Sequence, residues 1–171
     1  EIIWDPSASK PIGGSFNGAN VNADASRRYG ISPSYDVQIT PNWLLGLSYD
    51  YIDAEFTEGV NDGKALSWVA KHSGRGYISY DFAENWQVFA EGIYTGERFM
   101  EGDNANADAK LDSYVLSNIA LNYTQSQWSA SLRLDNLLDE DYVSAGYYSA
   151  WGSGYYPGDG RNIRLTAGYR F

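Results

Sequence analysis

From Asn162 to Phe171 every second residue is apolar: Ile163, Leu165, Ala167, Tyr169 and Phe171 alternate with Asn162, Arg164, Thr166, Gly168 and Arg170. An unbroken period of two fits an extended strand, because successive side chains of a strand point to opposite faces. One face is greasy and the other strongly polar. In a soluble sandwich the greasy face would enter a core, whereas in an outer-membrane barrel it meets lipid and the arginines face an enclosed interior.

The same period recurs along the chain. Tyr29, Ile31, Tyr35, Val37 and Ile39 lead to a turn at Thr40-Pro41-Asn42, and Trp43, Leu45, Leu47, Tyr49 and Tyr51 lead away from it. Gly76, Ile78, Tyr80 and Phe82 approach Glu84-Asn85, and Trp86, Val88, Ala90, Gly92 and Tyr94 leave it. Val115, Ile119, Leu121 and Tyr123 approach Gln125-Ser126-Gln127, and Trp128, Ala130, Leu132 and Leu134 leave it. Between these hairpins lie long polar loops, one around Asn61-Asp62-Gly63, one over 101–110 and the longest over 139–160. Pro33 falls inside a strand pattern, where a ladder N–H is lost, so a bulge or the end of the bilayer span is expected there.

Two regularities go beyond a soluble sheet. Very short turns alternate with long loops, the two-sided pattern of outer-membrane barrels. On the apolar face, aromatic residues border each short turn: Trp43, Phe82, Trp86, Tyr123, Trp128 and finally Phe171. A girdle at a membrane–water boundary calls for this, since Trp and Tyr have one apolar and one wet end.

Composition narrows the class further. A net charge of -10 and a pI near 4.4 leave no basic stripe for nucleic acid. Fifteen Tyr and six Trp accompany a mean hydropathy of only -0.45, as expected when strands average a greasy and a polar face. No cysteine is present, which removes thiol chemistry. No apolar run is long enough for a transmembrane helix. Glu1-Ile2-Ile3-Trp4-Asp5 lacks a basic start and an apolar h-region, so the sequence reads as processed or as a piece of a longer chain that begins within a strand.

Asp135-Asn136-Leu137-Leu138-Asp139-Glu140-Asp141-Tyr142 resembles the "NLFDxxY" box of TonB-dependent outer-membrane receptors. Tyr156-Pro157-Gly158-Asp159-Gly160-Arg161-Asn162 is similar to their "YPxPGR" lead-in to the last strand, and Leu165, Tyr169 and Phe171 to their carboxy-terminal assembly signal. Arg27-Arg28-Tyr29-Gly30-Ile31 resembles their "xxxRxxGxE" strand, with Ser32 where Glu is usual. The resemblance implies a barrel of about 22 strands holding a plug, which imports siderophores, cobalamin or similar scarce nutrients with energy transduced by TonB. It also implies the β-barrel assembly machinery as a partner. Residues 1–171 then form the carboxy-terminal part of the barrel, seven strands and a stub, without plug.

Several constellations remain as candidate sites. Arg133, Asp135, Arg164, Arg170, Glu91 and Glu97 fall on polar faces and are expected to line the interior as paired charges or a ligand path. Tyr147, Tyr148, Trp151 and Tyr155 crowd one loop and are candidate substrate contacts, while Tyr142 is assigned to an outer girdle. Asp103, Asn104, Asn106 and Asp108 offer hard oxygens for calcium but lack the glycine and terminal Glu of an EF-hand. His72 has no second His or Cys to complete a transition-metal site. No serine stands in a nucleophile elbow and no cofactor motif is present, so catalysis is not expected. The fold expected is all-β: an antiparallel transmembrane β-barrel segment of a nutrient transporter in the bacterial outer membrane. A self-contained eight-stranded barrel with a structural or adhesive role, and a soluble carbohydrate-binding β-sandwich, are the alternatives.

Overall fold

A computed structural model describes residues 2–5, 19–22, 25–149 and 152–171. Its strands are β1 (Ile2–Asp5), β2 (Ala19–Asn22), β3 (Ser26–Ile31), β4 (Ser34–Thr40), β5 (Trp43–Phe56), β6 (His72–Ala83), β7 (Trp86–Thr95), β8 (Tyr114–Gln125), β9 (Trp128–Asp135), β10 (Val143–Tyr147), β11 (Gly154–Pro157) and β12 (Asn162–Tyr169). The only helical element among the described residues is a single 3-10 turn, Gly59–Asn61. One antiparallel sheet runs β12-β9-β8-β7-β6-β5-β3, with β4 beside the lower half of β5. β1 pairs with β2, and β10 with β11. Among the described residues neither β12 nor β3–β4 has a second partner, so the sheet is an open wall rather than a closed barrel.

From β5 to β9 the wall is a meander of sequential strands, bordered at one edge by β12 on β9 and at the other by β3 and β4 on β5, and among the described residues no second sheet covers either face. Its greasy face consequently has nothing to pack on. Leu47, Leu132, Ile163 and Leu165 remain 52%, 47%, 69% and 75% exposed. In a soluble protein so large an apolar face would be buried or would aggregate. The best-buried side chains lie elsewhere: Phe56, Leu66, Met100 and Leu111 are all at the ends of strands or in the long loops. Ala54, Phe56 and Leu66, with Ile3 and Val69 against them, form the one hydrophobic cluster among the described residues. The core therefore sits above the long-loop rim of the wall.

Two local expectations are corrected. Pro33 causes no bulge: Ile31 faces Tyr51 and Ser34 faces Ser48, so two residues on each strand lie between and the register is unchanged. Pro33 cannot donate, but its carbonyl still accepts the Tyr49 N–H at 3.1 Å, and the ladder is merely interrupted. A register shift does occur later, between Gln38 and Thr40 beside the turn. The stretch 139–160 is not simply a loop, because it contains the β10–β11 hairpin. Strands of five and four residues are too short to announce themselves by period.

β5, with 14 residues, is longer than the 9–11 a tilted strand needs to cross hydrocarbon. Its Asp53 and Glu55 pair with Lys71 at 3.2 Å and Arg27 at 2.5 Å, above the greasy band. The two faces of the wall should thus respond oppositely to charge. Leu132→Arg, mid-strand on the greasy face, is expected to cost ~2–4 kcal/mol in a bilayer and Ser131→Arg, on the polar face, far less. Unfolding from lipid vesicles followed by Trp fluorescence measures both, and equal costs would contradict this sidedness.

Candidate functional site

The polar face is zipped across five strands by one chain of charges. Arg75 on β6 donates through Nε to Glu91 Oε2 on β7 at 2.8 Å. Arg133 on β9 donates to the other Glu91 oxygen at 2.5 Å, and to Asp135 at 2.5 Å. Asp135 in turn accepts from Arg164 on β12 at 3.4 Å. Asn118 on β8 fills the gap, donating to Glu91 at 3.0 Å. The Glu91 side chain is only 6% exposed, so it would be costly to keep charged without these three partners. Three guanidiniums meet two carboxylates, leaving the row with one positive charge in excess.

A second row, built mainly on amides and without arginine, lies nearer the short turns. Gln87 donates to Asp81 at 2.9 Å, and Ser131 to Asn122 at 2.7 Å. Asp81, Gln87 and Asn122, with Asn42 and Glu84, line a cavity of about 530 Å³ at this rim. On the greasy face of the same rim the aromatics stack. Trp43 lies 4.1 Å from Tyr80, Trp86 4.8 Å from Tyr123, and Trp128 4.7 Å from Tyr169, centroid to centroid. Phe82 lies 6.3 Å from Trp86, and Phe171 5.0 Å from Tyr169. The Tyr123 and Tyr169 hydroxyls donate to Gln125 and Gln127, beside and within the turn, which puts their polar ends on the turn side.

At the opposite rim three long loops are joined into one body. The Trp68 N–H donates to Phe99 O at 2.9 Å, and Asn106 exchanges hydrogen bonds with the Ala65 backbone at 2.8 and 3.0 Å. Those contacts fasten the 57–71 loop to the 96–113 loop. Glu101 N–H donates to Gly146 O at 3.0 Å and Tyr148 N–H to Glu101 O at 2.7 Å, which fastens the 96–113 loop to β10. Gly146 is required for that approach, since a Cβ there would meet Met100 and Leu111 at 3.0 and 3.1 Å.

The base of the last loop is clipped by three side chains. Asn136, 4% exposed and at φ +50°, donates to Glu140 O and Asp159 O at 2.9 and 3.1 Å and accepts the Glu140 N–H at 2.9 Å. Asp139 accepts the Arg161 N–H at 2.9 Å. Tyr142 lies over Gly158, where a Cβ would fall 2.0 Å from its ring, and accepts the Gly158 N–H at its carbonyl at 2.8 Å. Tyr142 also lies tilted against Tyr114 at 4.5 Å, so it is part of this clip.

The residues singled out in the sequence fall into distinct places. Glu91, Arg133, Asp135 and Arg164 converge in the charged row. Glu97 does not join them: β7 ends at Thr95, and exposed Glu97 pairs with Lys110 beyond it. Arg170 lies past β12 and has no side-chain partner among the described residues. The oxygens of the calcium candidate are committed internally. Asp103, 1% exposed, accepts the Ala107 and Asp108 N–H groups at 2.7 and 3.0 Å. Asn104 accepts from Ser67, Asn106 holds Ala65, and Asp108 accepts from Ser153 at 2.5 Å. Tyr147 and Tyr155 are exposed on the β10–β11 hairpin and Tyr148 is half-buried, while Trp151 lies outside the described residues. Arg75, Asn118 and Asn136 were not singled out. Arg75 and Asn118 stood on polar faces, but Arg75 reaches Glu91 diagonally and Asn118 stands directly opposite it, and both links need the register.

Comparison with known proteins identifies the wall. A family model described as "TonB dependent receptor-like, beta-barrel" matches residues 1–137. The chain belongs to this family. It is 33% identical over 177 aligned positions to a protein named Vitamin B12 transporter BtuB from Photobacterium profundum, covering 99% of this chain and 25% of that one. It is 30% identical to the Metal-pseudopaline receptor CntO of Pseudomonas aeruginosa, over 87% of this chain and 21% of that one. The fold matches the ferric yersiniabactin uptake receptor FyuA of Yersinia pestis with a TM-score of 0.77 at 18% identity, over 90% of this chain and 25% of that one. The ferric-catecholate import receptor Fiu of E. coli gives 0.72 at 24% identity, over 93% and 23%. The chain thus spans about a quarter of the length of these curated relatives.

Within a TonB-dependent receptor barrel the box at the end of β9 now has a physical meaning: Asn136, Asp139 and Tyr142 each grip the lead-in to β12. Asn136→Ala should cost about 2–4 kcal/mol, from three lost hydrogen bonds and an alanine at positive φ. Asn136→Gly should recover about 1 kcal/mol of it by relieving the φ alone. Urea unfolding in vesicles reads both, and an unchanged midpoint would show the clip to be idle.

The contact between the loops should also respond to acid. The Ser153 hydroxyl, and next the Ala109 N–H, hold the Asp108 carboxyl below the usual carboxylate range. A carboxyl depressed by folding contributes stability above its unfolded pKa, about 4, and loses it as pH falls through the lower folded value. Ser153→Ala should therefore lower the thermal transition at pH 7 and make no difference in strong acid. A deficit that persists once the carboxyl is protonated in the folded state as well would assign Ser153 another role.

Proposed function

We propose that residues 1–171 form the carboxy-terminal sector of an outer-membrane nutrient transporter, with the greasy face on lipid and the charged row facing the lumen. The observation that carries this is the inversion of the wall: exposed Leu47, Leu132, Ile163 and Leu165 on one side, and nearly buried Glu91 with its arginines on the other. Only a lipid-clad barrel makes both economical. The aromatic row Trp43, Phe82, Trp86, Tyr123 and Trp128 then marks the periplasmic boundary, and Tyr29, Tyr49 and Tyr94 the outer one.

In this role the joined loops face the medium and Tyr147, Tyr148 and Tyr155 offer the first contacts to the ligand. The ligand class is that of a cobalamin or a metal-loaded chelator, in keeping with the names borne by BtuB, CntO and FyuA. The partners are the remaining strands and plug of the same receptor, TonB acting through that plug, and the assembly machinery reading Leu165, Tyr169 and Phe171. The closed eight-stranded barrel is disfavoured by two unpaired edges among the described residues, and the sandwich by the single layer.

The test is uptake of radiolabelled cyanocobalamin and of iron-loaded catecholate and yersiniabactin siderophores, with the full reading frame expressed in cells with and without TonB. TonB-dependent uptake of one class is expected, with Tyr155→Ala raising half-saturation about tenfold, the loss of about 1.4 kcal/mol of binding, at an unchanged maximal rate. A protein that inserts into the outer membrane yet takes up none of them, with or without TonB, would remove the transport reading.

A further inference from the structure

Arg98 is a buried cation without a carboxylate. It is 6% exposed, and no ion pair forms on it among the described residues. Its backbone N–H and carbonyl pair with Leu111 at 3.2 and 2.8 Å, extending the β7–β8 ladder into the 96–113 loop. Its side chain leaves that loop in two directions. The guanidinium carbon lies 5.2 Å from the Trp68 ring, in the 57–71 loop, and 5.7 Å from Tyr114 at the start of β8. Nη2 donates to Ser144 O on β10 at 2.8 Å, 46 residues away in sequence. Nη1 is buried with no hydrogen-bond partner.

A guanidinium deprived of water normally requires a carboxylate and a bond for every N–H, so its retention here calls for a compensating role. The Trp68 contact carries a second cost. Trp68 sits at φ +67°, a left-handed conformation that a bulky residue rarely adopts, and it is held there by its N–H bond to Phe99 O. Two local costs thus meet at one contact, and the arginine that makes it touches all three long loops at once. Aromatic faces can accept an unneutralised guanidinium, by its attraction to the ring quadrupole.

We propose that Arg98 is the positioning residue that, added to the backbone bonds between them, locks the three outer loops into a single ligand-capturing body: cation-π contact holds the 57–71 loop through Trp68, and the Ser144 bond holds the β10–β11 hairpin. This rests on the loops being the ligand surface, but its test needs no ligand. The contribution of Arg98 is pre-organisation, so the tyrosines of the hairpin are presented in one arrangement before the ligand arrives.

Hydrogen exchange on the full-length receptor in vesicles distinguishes this role from ordinary packing. Arg98→Met, which keeps an unbranched stem of similar length, should speed exchange at least tenfold in 57–71 and in 143–157 as well as in 96–113, while the amides of β5 to β9 stay protected. Arg98→Lys keeps a cation over Trp68 but is too short to reach Ser144, so it should restore protection to 57–71 and leave 143–157 fast. Faster exchange confined to 96–113, unchanged loops, or equal rescue of both neighbours by lysine would overturn the proposal. Failure there would leave nutrient uptake intact, whereas failure of the transport reading would appear in the uptake assay with these loops still joined.

Discussion

Every other feature of this chain depends on one constraint: a backbone crossing hydrocarbon finds no water, so each N–H and C=O needs a neighbouring strand. The wall meets it by pairing every strand along its length with an antiparallel neighbour, and a Pro33 that cannot donate is confined to the break between β3 and β4 at one edge of the described sheet. With the backbone satisfied in this way, side chains are released from making a core. The greasy half of each strand can face outward because lipid solvates it. Burial is then concentrated where water returns, at Phe56, Leu66, Met100 and Leu111 beyond the wall.

The polar half takes over part of the core's usual task, which is to fix register. A slip of one residue turns every side chain to the other face, so it would push Glu91 or Arg133 into lipid. The row from Arg75 to Arg164 adds a positive preference to that penalty, since its bonds form only in one alignment of β6, β7, β8, β9 and β12. The same row stays wet on one side, and that keeps the desolvation cost of its charges tolerable. It is thus a register device on the polar face.

The wall was legible in the sequence and the loops were not, for a physical reason. A strand side chain's direction follows from parity, so Leu165 against Arg164, or Trp128 against Ser129, declares its face without knowledge of any partner. Glu91, Arg133, Asp135 and Arg164 could accordingly be grouped by face, although Glu97 was carried along because parity does not reveal that β7 ends at Thr95. Loop contacts have no such rule. Arg98 meets Ser144, and Asp108 meets Ser153, through chain reversals that no period records. The acidic Asn-rich stretch 101–110 looked like ligand oxygens for the same reason: composition shows which atoms are available, and only folding shows that Asp103 has already spent its carboxylate on backbone N–H groups.

The clip at Asn136, Asp139 and Tyr142 shows how such loops can vary without endangering the wall. Joining β9 to β12 through a long connection costs entropy that grows only slowly with length, so a long loop is tolerable in itself. What a long loop threatens is precision, because the last strand must arrive at one register on β9. Gripping residues 158–161 directly from 136–142 sets that arrival before the β10–β11 hairpin is reckoned at all. The hairpin then closes as a separate unit on Val143 opposite Pro157. Sequence above the clip is left free to vary, and sequence at and below it is held by the hydrogen bonds that set Ile163 and Leu165 on the greasy face of β12.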